Sequence, residues 1–180
     1  LKWPNDLWLI DPAAPNGVGR KLGGILIETV PVGAQRMVVV GVGLNILPRS
    51  GDAGDTGDDA QSPAAPRPLA SGNASLSEMS ADVTAPGTLH RIAPPLAKAL
   101  LAFEASGLQS FMASFAQRDV LINRRVTLLR PPPSAGGAPV QTEASAVGIS
   151  AQGALLVRES GLIGASQTIT EVHSGEVSVR

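Results

Sequence analysis

Two apolar runs, broken by proline and glycine at one place, constrain the fold of this chain more than any other feature. Gly24-Ile25-Leu26-Ile27-Glu28-Thr29-Val30 is followed by Pro31-Val32-Gly33, and then by Arg36-Met37-Val38-Val39-Val40-Gly41-Val42-Gly43. Both runs are rich in β-branched residues and of strand length, and the residues between them are those of a reverse turn. They predict an antiparallel hairpin. Its near-continuous apolar character predicts burial on both faces, with helices covering the sheet. Leu7-Trp8-Leu9-Ile10, ended by Asp11-Pro12, is a third short run, and Pro15-Asn16-Gly17 marks a further turn.

A polar block sits at the edge of each run, where a buried strand delivers side chains to one end of a sheet. Lys2-Trp3-Pro4-Asn5-Asp6 joins a cation, an amide and a carboxylate, and Pro4 biases Trp3 toward extended backbone. Asp6 is suited to Mg²⁺, which takes carboxylate oxygen together with substrate phosphates, and Asn5 to orienting a ligand. A polar turn after a strand explains an arbitrary Pro-Asn-Asp more simply. Lys21 stands before Gly23-Gly24, whose lack of side chains lets a ligand approach the backbone. There it could neutralise developing negative charge, although most single lysines are merely solvated.

Gly41-Val42-Gly43-Leu44-Asn45 is not a dinucleotide fingerprint: the third glycine is missing and no helix follows. Glycines at alternate strand positions bare one face, where a flat ring can pack. Crowding by a neighbouring helix would account for Gly41 or Gly43 equally well. Asn45 offers a donor and an acceptor suited to a nucleobase.

The remaining chain is less pointed. Its 180 residues suffice for one domain, or one with a small appendage. Aromatics are 3% against 43% hydrophobic residues, so the core must be Leu, Val, Ile and Ala. A net charge of −1 gives no electrostatic footprint for nucleic acid, and the absence of Cys removes disulfides and thiolate metal sites. No apolar run approaches a membrane span and no signal peptide is visible, so a soluble cytoplasmic protein is expected. The chain opens at Leu1-Lys2, directly in a motif, which predicts the C-terminal piece of a longer protein.

Residues 48–86 are rich in Asp, Gly, Ala, Ser and Pro and predict a mobile or disordered insert, with a weak helix around 75–81. Leu89, Ile92, Leu96, Leu100 and Phe103 recur at helical spacing over 88–104, with a kink or a start expected at Pro94-Pro95 and a stop at Gly107. A second helix is predicted over 108–120, with Leu108, Phe111, Met112, Phe115 and Val120 inward. Short strands follow at 125–130, 144–150, 154–159, 167–172 and 176–179, with a tight turn at Ser150-Ala151-Gln152-Gly153. They suggest a small barrel or sandwich. Pro131-Pro132-Pro133 reads as a turn or linker, and His90 and His173 as surface histidines.

The string Lys2-Trp3-Pro4-Asn5-Asp6-Leu7, the Arg20-Lys21-Leu22 block running to Glu28, and the Gly41/Gly43/Asn45 block resemble the bacterial biotin–protein ligases. Asn123-Arg124-Arg125-Val126, Gln152-Gly153-Ala154-Leu155-Leu156 and Gly175-Glu176-Val177-Ser178-Val179-Arg180 extend the resemblance over most of the chain. It implies an α+β fold: a class II aminoacyl-tRNA synthetase-like catalytic sheet with helices over 1–121, lacking its N-terminal part, then an SH3-like β-barrel over 122–180. It implies activation of biotin by Mg·ATP to biotinyl-5′-AMP, then transfer to a lysine of the biotin carboxyl carrier domain of acetyl-CoA carboxylase.

By the same resemblance Lys21 and Asp6 are catalytic, with Asp6 also the Mg²⁺ ligand or the acceptor of the lysine's proton. Lys2, Asn5, Lys21, Gly24, Ile25, Gly41, Gly43, Asn45 and Arg180 bind biotin or nucleotide. The family's Gly/Arg-rich biotin loop and Ser-Thr strand would lie upstream, as would any DNA-binding winged helix, so this chain alone is expected to be poorly active. Homodimerisation through a sheet edge stays open. A regulatory adenylate-binding module and a lipoate-ligase-like enzyme are the alternatives; intact Lys21 and Asp6 weigh against the first, and the KWPND string and terminal Gly-Glu-Val-Ser against the second.

Overall fold

The computed structural model describes residues 1–11, 19–48, 72–130, 140–159, 168–173 and 176–179. The turn at Pro15-Asn16-Gly17, the insert over 49–71, the proline tract at 131–133 and Arg180 lie outside the described residues. The fold is α+β, with two antiparallel sheets and one long helix. The chain divides into two compact units, one of Asn5–Leu96 and one of Leu1–Pro4 with Ala97–Arg180. Among the described residues no helix is long and apolar enough to cross a membrane.

The first unit is built on β1 (Asp6–Ile10), β2 (Gly19–Val32) and β3 (Gln35–Leu44), paired in that order. The predicted hairpin is present, with Gly33 at φ +60° in its turn. Burial on both faces is not. Leu26 and Ile27 are 61% and 62% exposed, and Val30, Val32, Met37, Val38 and Val39 are also exposed. Apolar content measures what a strand would gain by being covered; among the described residues nothing covers these side chains.

Part of the expected disordered insert is ordered. Asn73 bridges Lys21 in parallel, Ala74 and Ser75 are buried, and Leu76–Glu78 forms a single 3₁₀ turn where a weak helix was expected. Backbone bonds explain the order: Ala74 N–H donates to Lys21 O at 2.9 Å and Leu76 N–H to Asn45 O at 2.8 Å.

Helix α1 (Ala85–Ser106) begins where Thr84 Oγ1 accepts the Gly87 N–H at 3.2 Å, and ends at Gly107, φ +64°. It continues through Pro94 and Pro95 rather than starting there. His90 and Arg91, whose carbonyls lose their helical partners there, are exposed, so water can satisfy them. The less exposed line of α1 is Thr88, Ile92, Leu96 and Ala99, while the expected stripe members Leu89, Leu100 and Phe103 are exposed. The predicted second helix is shorter than 108–120: a 3₁₀ segment, Gly107–Phe111, precedes α2 (Met112–Ala116). Leu108, Phe111, Met112, Phe115 and Val120 are its half-buried residues, as the periodicity requires.

The second sheet contains β4 (Arg125–Arg130), β5 (Val140–Ile149), β6 (Leu155–Glu159), β7 (Ile169–Val172) and β8 (Glu176–Val179), in the order β7-β6-β5-β4-β8. No pairing of β7 with β8 closes it among the described residues. Alternate positions supply the core: Val126 and Leu128, Ala144 and Ala146, Leu155 and Val157, joined by Val172, Val177 and Leu121. Gly153, φ +84°, closes the β5–β6 turn, where Ser150 N–H donates to Ala154 O at 2.8 Å. Trp3 is a member of this core, and its Nε1 donates to Gly153 O at 2.9 Å. The sequence places Trp3 in a site motif; its indole instead fills a core poor in aromatics.

Leu128 is 1% exposed, so Leu128→Ala should cost about 2–5 kcal/mol in chemical denaturation. A loss below about 1 kcal/mol would show that this core is not tightly packed.

Candidate active site

The site is built by the register of β1 and β2. Asp6 pairs with Gly24 and Leu7 with Gly23, but Trp8 pairs with Lys21, leaving Leu22 without a partner on β1. In a regular strand Lys21 and Gly24, three apart, would face opposite ways. The bulge at Leu22 turns Lys21 to the face of Gly24 and Asp6. There Lys21 Nζ lies 2.7 Å from Asp6 Oδ1. The Asp6 side chain is 18% exposed and that of Lys21 49%, so the ammonium reaches outward from a mostly covered carboxylate.

Glycines form the floor beside this pair. Gly24 pairs with Gly43 and Leu26 with Gly41, so all three glycines share the Asp6 face. A Cβ on Gly24 would stand 3.4 Å from Asp6 Oδ1 and 3.7 Å from Lys21 Cε. On Gly41 or Gly43 its nearest neighbours would be the Leu26 and Gly24 carbonyls, at 3.7 and 3.8 Å. Among the described residues no helix crowds either position, and a Cβ there would make only ordinary contacts. Gly23 is different, since a Cβ there would strike the Gly43 carbonyl and Leu44. An open cavity of about 520 Å³ lies over this surface, lined by Asn5, Asp6, Lys21, Gly24, Ile25, Leu26, Gly41, Val42 and Gly43. Its volume suits a small molecule.

Seven of the residues proposed from sequence thus meet at one cavity: Asn5, Asp6, Lys21, Gly24, Ile25, Gly41 and Gly43. Asn5 serves the scaffold as well, because its Nδ2 donates to Ile25 O at 2.8 Å and its carbonyl accepts the Ile25 N–H at 2.8 Å. Asn45 does not line the cavity. Its Nδ2 donates to Lys21 O at 3.1 Å and to Ala74 O at 3.0 Å, tying two backbones together. Lys2 belongs to the other unit and is not a lining residue. His173 is exposed, with Nε2 3.4 Å from Glu171 Oε2.

Sequence reasoning missed what surrounds Lys21. Arg20 Nη1 donates to Asn73 O and to Glu78 Oε1, both at 3.1 Å, while Nη2 meets Glu78 Oε2. Glu78 Oε1 also accepts the Ser75 N–H at 2.8 Å. The available signal was Ser75-Leu76-Ser77-Glu78, the Ser-x-x-Glu spacing of a capping box. The Arg20 guanidinium first, and the Ser75 N–H second, hold the Glu78 carboxyl below its usual range.

For a metal, Asp6 supplies one carboxylate; among the described residues no three His, Cys, Asp or Glu converge. That donor set fits Mg²⁺ only where phosphates and water complete the shell.

Residues 1–45 match the Biotin/lipoate A/B protein ligase family and residues 121–180 the Biotin protein ligase C terminal domain. The chain belongs to the biotin protein ligase family. Over 164 residues it is 29% identical to the bifunctional ligase/repressor BirA of Salmonella typhimurium and to that of Escherichia coli. The match covers 91% of this chain and 42% of each relative, so the chain spans less than half the length of these curated relatives. In fold it is similar to the apo biotin protein ligase of Aquifex aeolicus, with TM-score 0.64, 21% identity, and coverage of 100% of this chain and 64% of that one. The Aquifex aeolicus ligase in complex with biotin and ATP gives 0.62 and 22%, with coverage of 100% and 61%.

Because the Glu78 carboxyl is lowered on folding, its stabilisation is present above the unfolded carboxylate pKa and lost as pH falls through the folded one. Hydrogen-exchange protection of the Lys21 and Ala74 amides should hold from pH 7 to about 4.3 and fall only below that. Loss of protection already near neutrality would contradict the Arg20–Glu78 pairing.

Proposed function

We propose that this chain carries the adenylate-forming centre of an ATP-dependent biotin–protein ligase. Its natural full-length protein converts biotin and ATP to biotinyl-5′-AMP and pyrophosphate, then biotinylates a lysine of the biotin carboxyl carrier domain of acetyl-CoA carboxylase. The observation that carries the reading is the 2.7 Å Lys21–Asp6 pair beside three side-chain-free positions. Family membership and the Aquifex aeolicus complex with biotin and ATP support the choice of ligands. We further assign residues 1–121 to a synthetase-like catalytic portion and 122–180 to an SH3-like barrel, in a cytoplasmic enzyme.

In this reading Lys21 holds its ammonium where the biotin carboxylate meets the α-phosphorus and stabilises the charge that builds as pyrophosphate leaves. Gly24, Gly41 and Gly43 let flat, polar ligand groups lie against the sheet, with Ile25 and Leu26 as apolar wall. Asn5 keeps Ile25 in place. In the second step the acceptor lysine's nitrogen bonds to the acyl carbon, AMP departs with the bonding pair, and Asp6 receives the proton. Mg²⁺, where bound, would neutralise phosphate charge with Asp6 as a carboxylate ligand. The C-terminal match favours biotin over lipoate, since the family matched at residues 1–45 includes both kinds of ligase.

Formation of labelled biotinyl-AMP by the natural full-length protein tests this. Lys21→Ala should lower the rate by about 10²–10³-fold; a variant with the wild-type rate would refute the assignment. Gly43→Ala meets no close neighbour, so it should leave folding unchanged while raising the KM for biotin or ATP. Unlabelled lipoate should not compete with biotin.

A further inference from the structure

We propose that Arg20 and Glu78 are positioning residues for Lys21, forming a clasp that fixes the main chain from which its ammonium projects without touching a ligand. The proposal rests on Lys21 being the charge-stabilising residue of the adenylation step.

The geometry around Lys21 explains why a clasp is needed. Strand β3 ends at Leu44, opposite Gly23, so the β2 edge at Lys21 has no partner from β3. Residues 72–74 take that edge instead. Lys21 N–H donates to Gly72 O at 3.2 Å, and Lys21 O accepts the Ala74 N–H at 2.9 Å and Asn45 Nδ2 at 3.1 Å. On the opposite edge Lys21 pairs with Trp8, immediately beside the bulge. A bulge is a register choice, and its loss would turn Lys21 to the other face of the sheet, away from Asp6.

Arg20 is the residue next to that choice, and it alternates with Lys21, so its guanidinium is free of the cavity. It grips the 72–78 segment at three acceptor atoms: the Asn73 carbonyl and both Glu78 oxygens. A fork on a carboxylate fixes direction as well as distance. Glu78 passes the constraint on through its 2.8 Å bond from the Ser75 N–H, and Ser75 and Ala74 are buried beneath. The Arg20 and Glu78 side chains themselves are 41% and 33% exposed. A pair so exposed adds little to global stability, which separates its local effect from a folding effect.

The test uses the natural full-length protein and three variants: Glu78→Gln, Arg20→Gln and the double substitution. Biotinyl-AMP formation, thermal unfolding and amide exchange at Lys21, Ala74 and Val40 are measured for each. Glu78→Gln should lower kcat by about tenfold or more with little change in KM, since a small misplacement of a reacting group suffices. Tm should move by no more than about 3 °C. Exchange should rise at Lys21 and Ala74 but not at Val40, and the double variant should be no slower than the worse single one. A wild-type kcat in Glu78→Gln overturns the clasp. So does a fall in kcat accompanied by a large drop in Tm and faster exchange at all three amides, because the pair is then a general stabiliser. If the wild-type protein forms no biotinyl-AMP, the ligase reading fails; unchanged exchange at Lys21 and Ala74 in Glu78→Gln would separately overturn the clasp.

Discussion

The ion pair between Lys21 Nζ and Asp6 Oδ1 depends on one extra residue in β2. Leu22 has no partner on β1, and that single insertion decides which face of the sheet Lys21 joins. Gly24 and Leu26 on β2, Gly41 and Gly43 on β3, and Asp6 on β1 share that face by the ordinary two-residue alternation of strands. Without the bulge the carboxylate and the glycine floor would remain, but the cation would lie behind them.

The glycines of this sheet divide by what a side chain would meet. Gly19 and Gly23 are packing glycines, since a Cβ there would run into Trp8 and Ile10, or into the Gly43 carbonyl and Leu44. At Gly41 and Gly43 a Cβ would have only ordinary contacts, so packing does not demand glycine at either position. Bare backbone there leaves room on the sheet for a flat group from outside the chain. That contrast, within one three-stranded sheet, is a stronger argument for a binding surface than the spacing of the glycines.

Much of the fold was legible because it rests on local patterns. The β2–β3 hairpin, the Gly107 stop, the Ser150–Gly153 turn and the alternation in β4 to β6 each follow from residues close in sequence. What failed were judgements about what lies against what. The apolar runs of β2 and β3 suggested burial that the described residues do not provide, and in α1 Leu89, Leu100 and Phe103 are exposed. Trp3, a neighbour of the site in sequence, belongs to the core of the other unit. For the site, spacing and resemblance identified seven of the nine residues that line the cavity, missing Leu26 and Val42, but neither could reveal the bulge, nor that Asn45 Nδ2 donates to two carbonyls. The Arg20–Glu78 pair spans residues on either side of the 49–71 stretch, beyond the reach of any local pattern.

The account stands on the three-glycine face beside Lys21 being where the adenylate lies. The most direct measurement is a titration of the isotopically labelled natural full-length protein with biotinyl-5′-AMP, following backbone amide shifts. The account predicts the largest changes at Lys21, Gly24, Gly41 and Gly43, with small ones at Gly19 and along the β4–β8 sheet. Binding that leaves those four amides unmoved would contradict it.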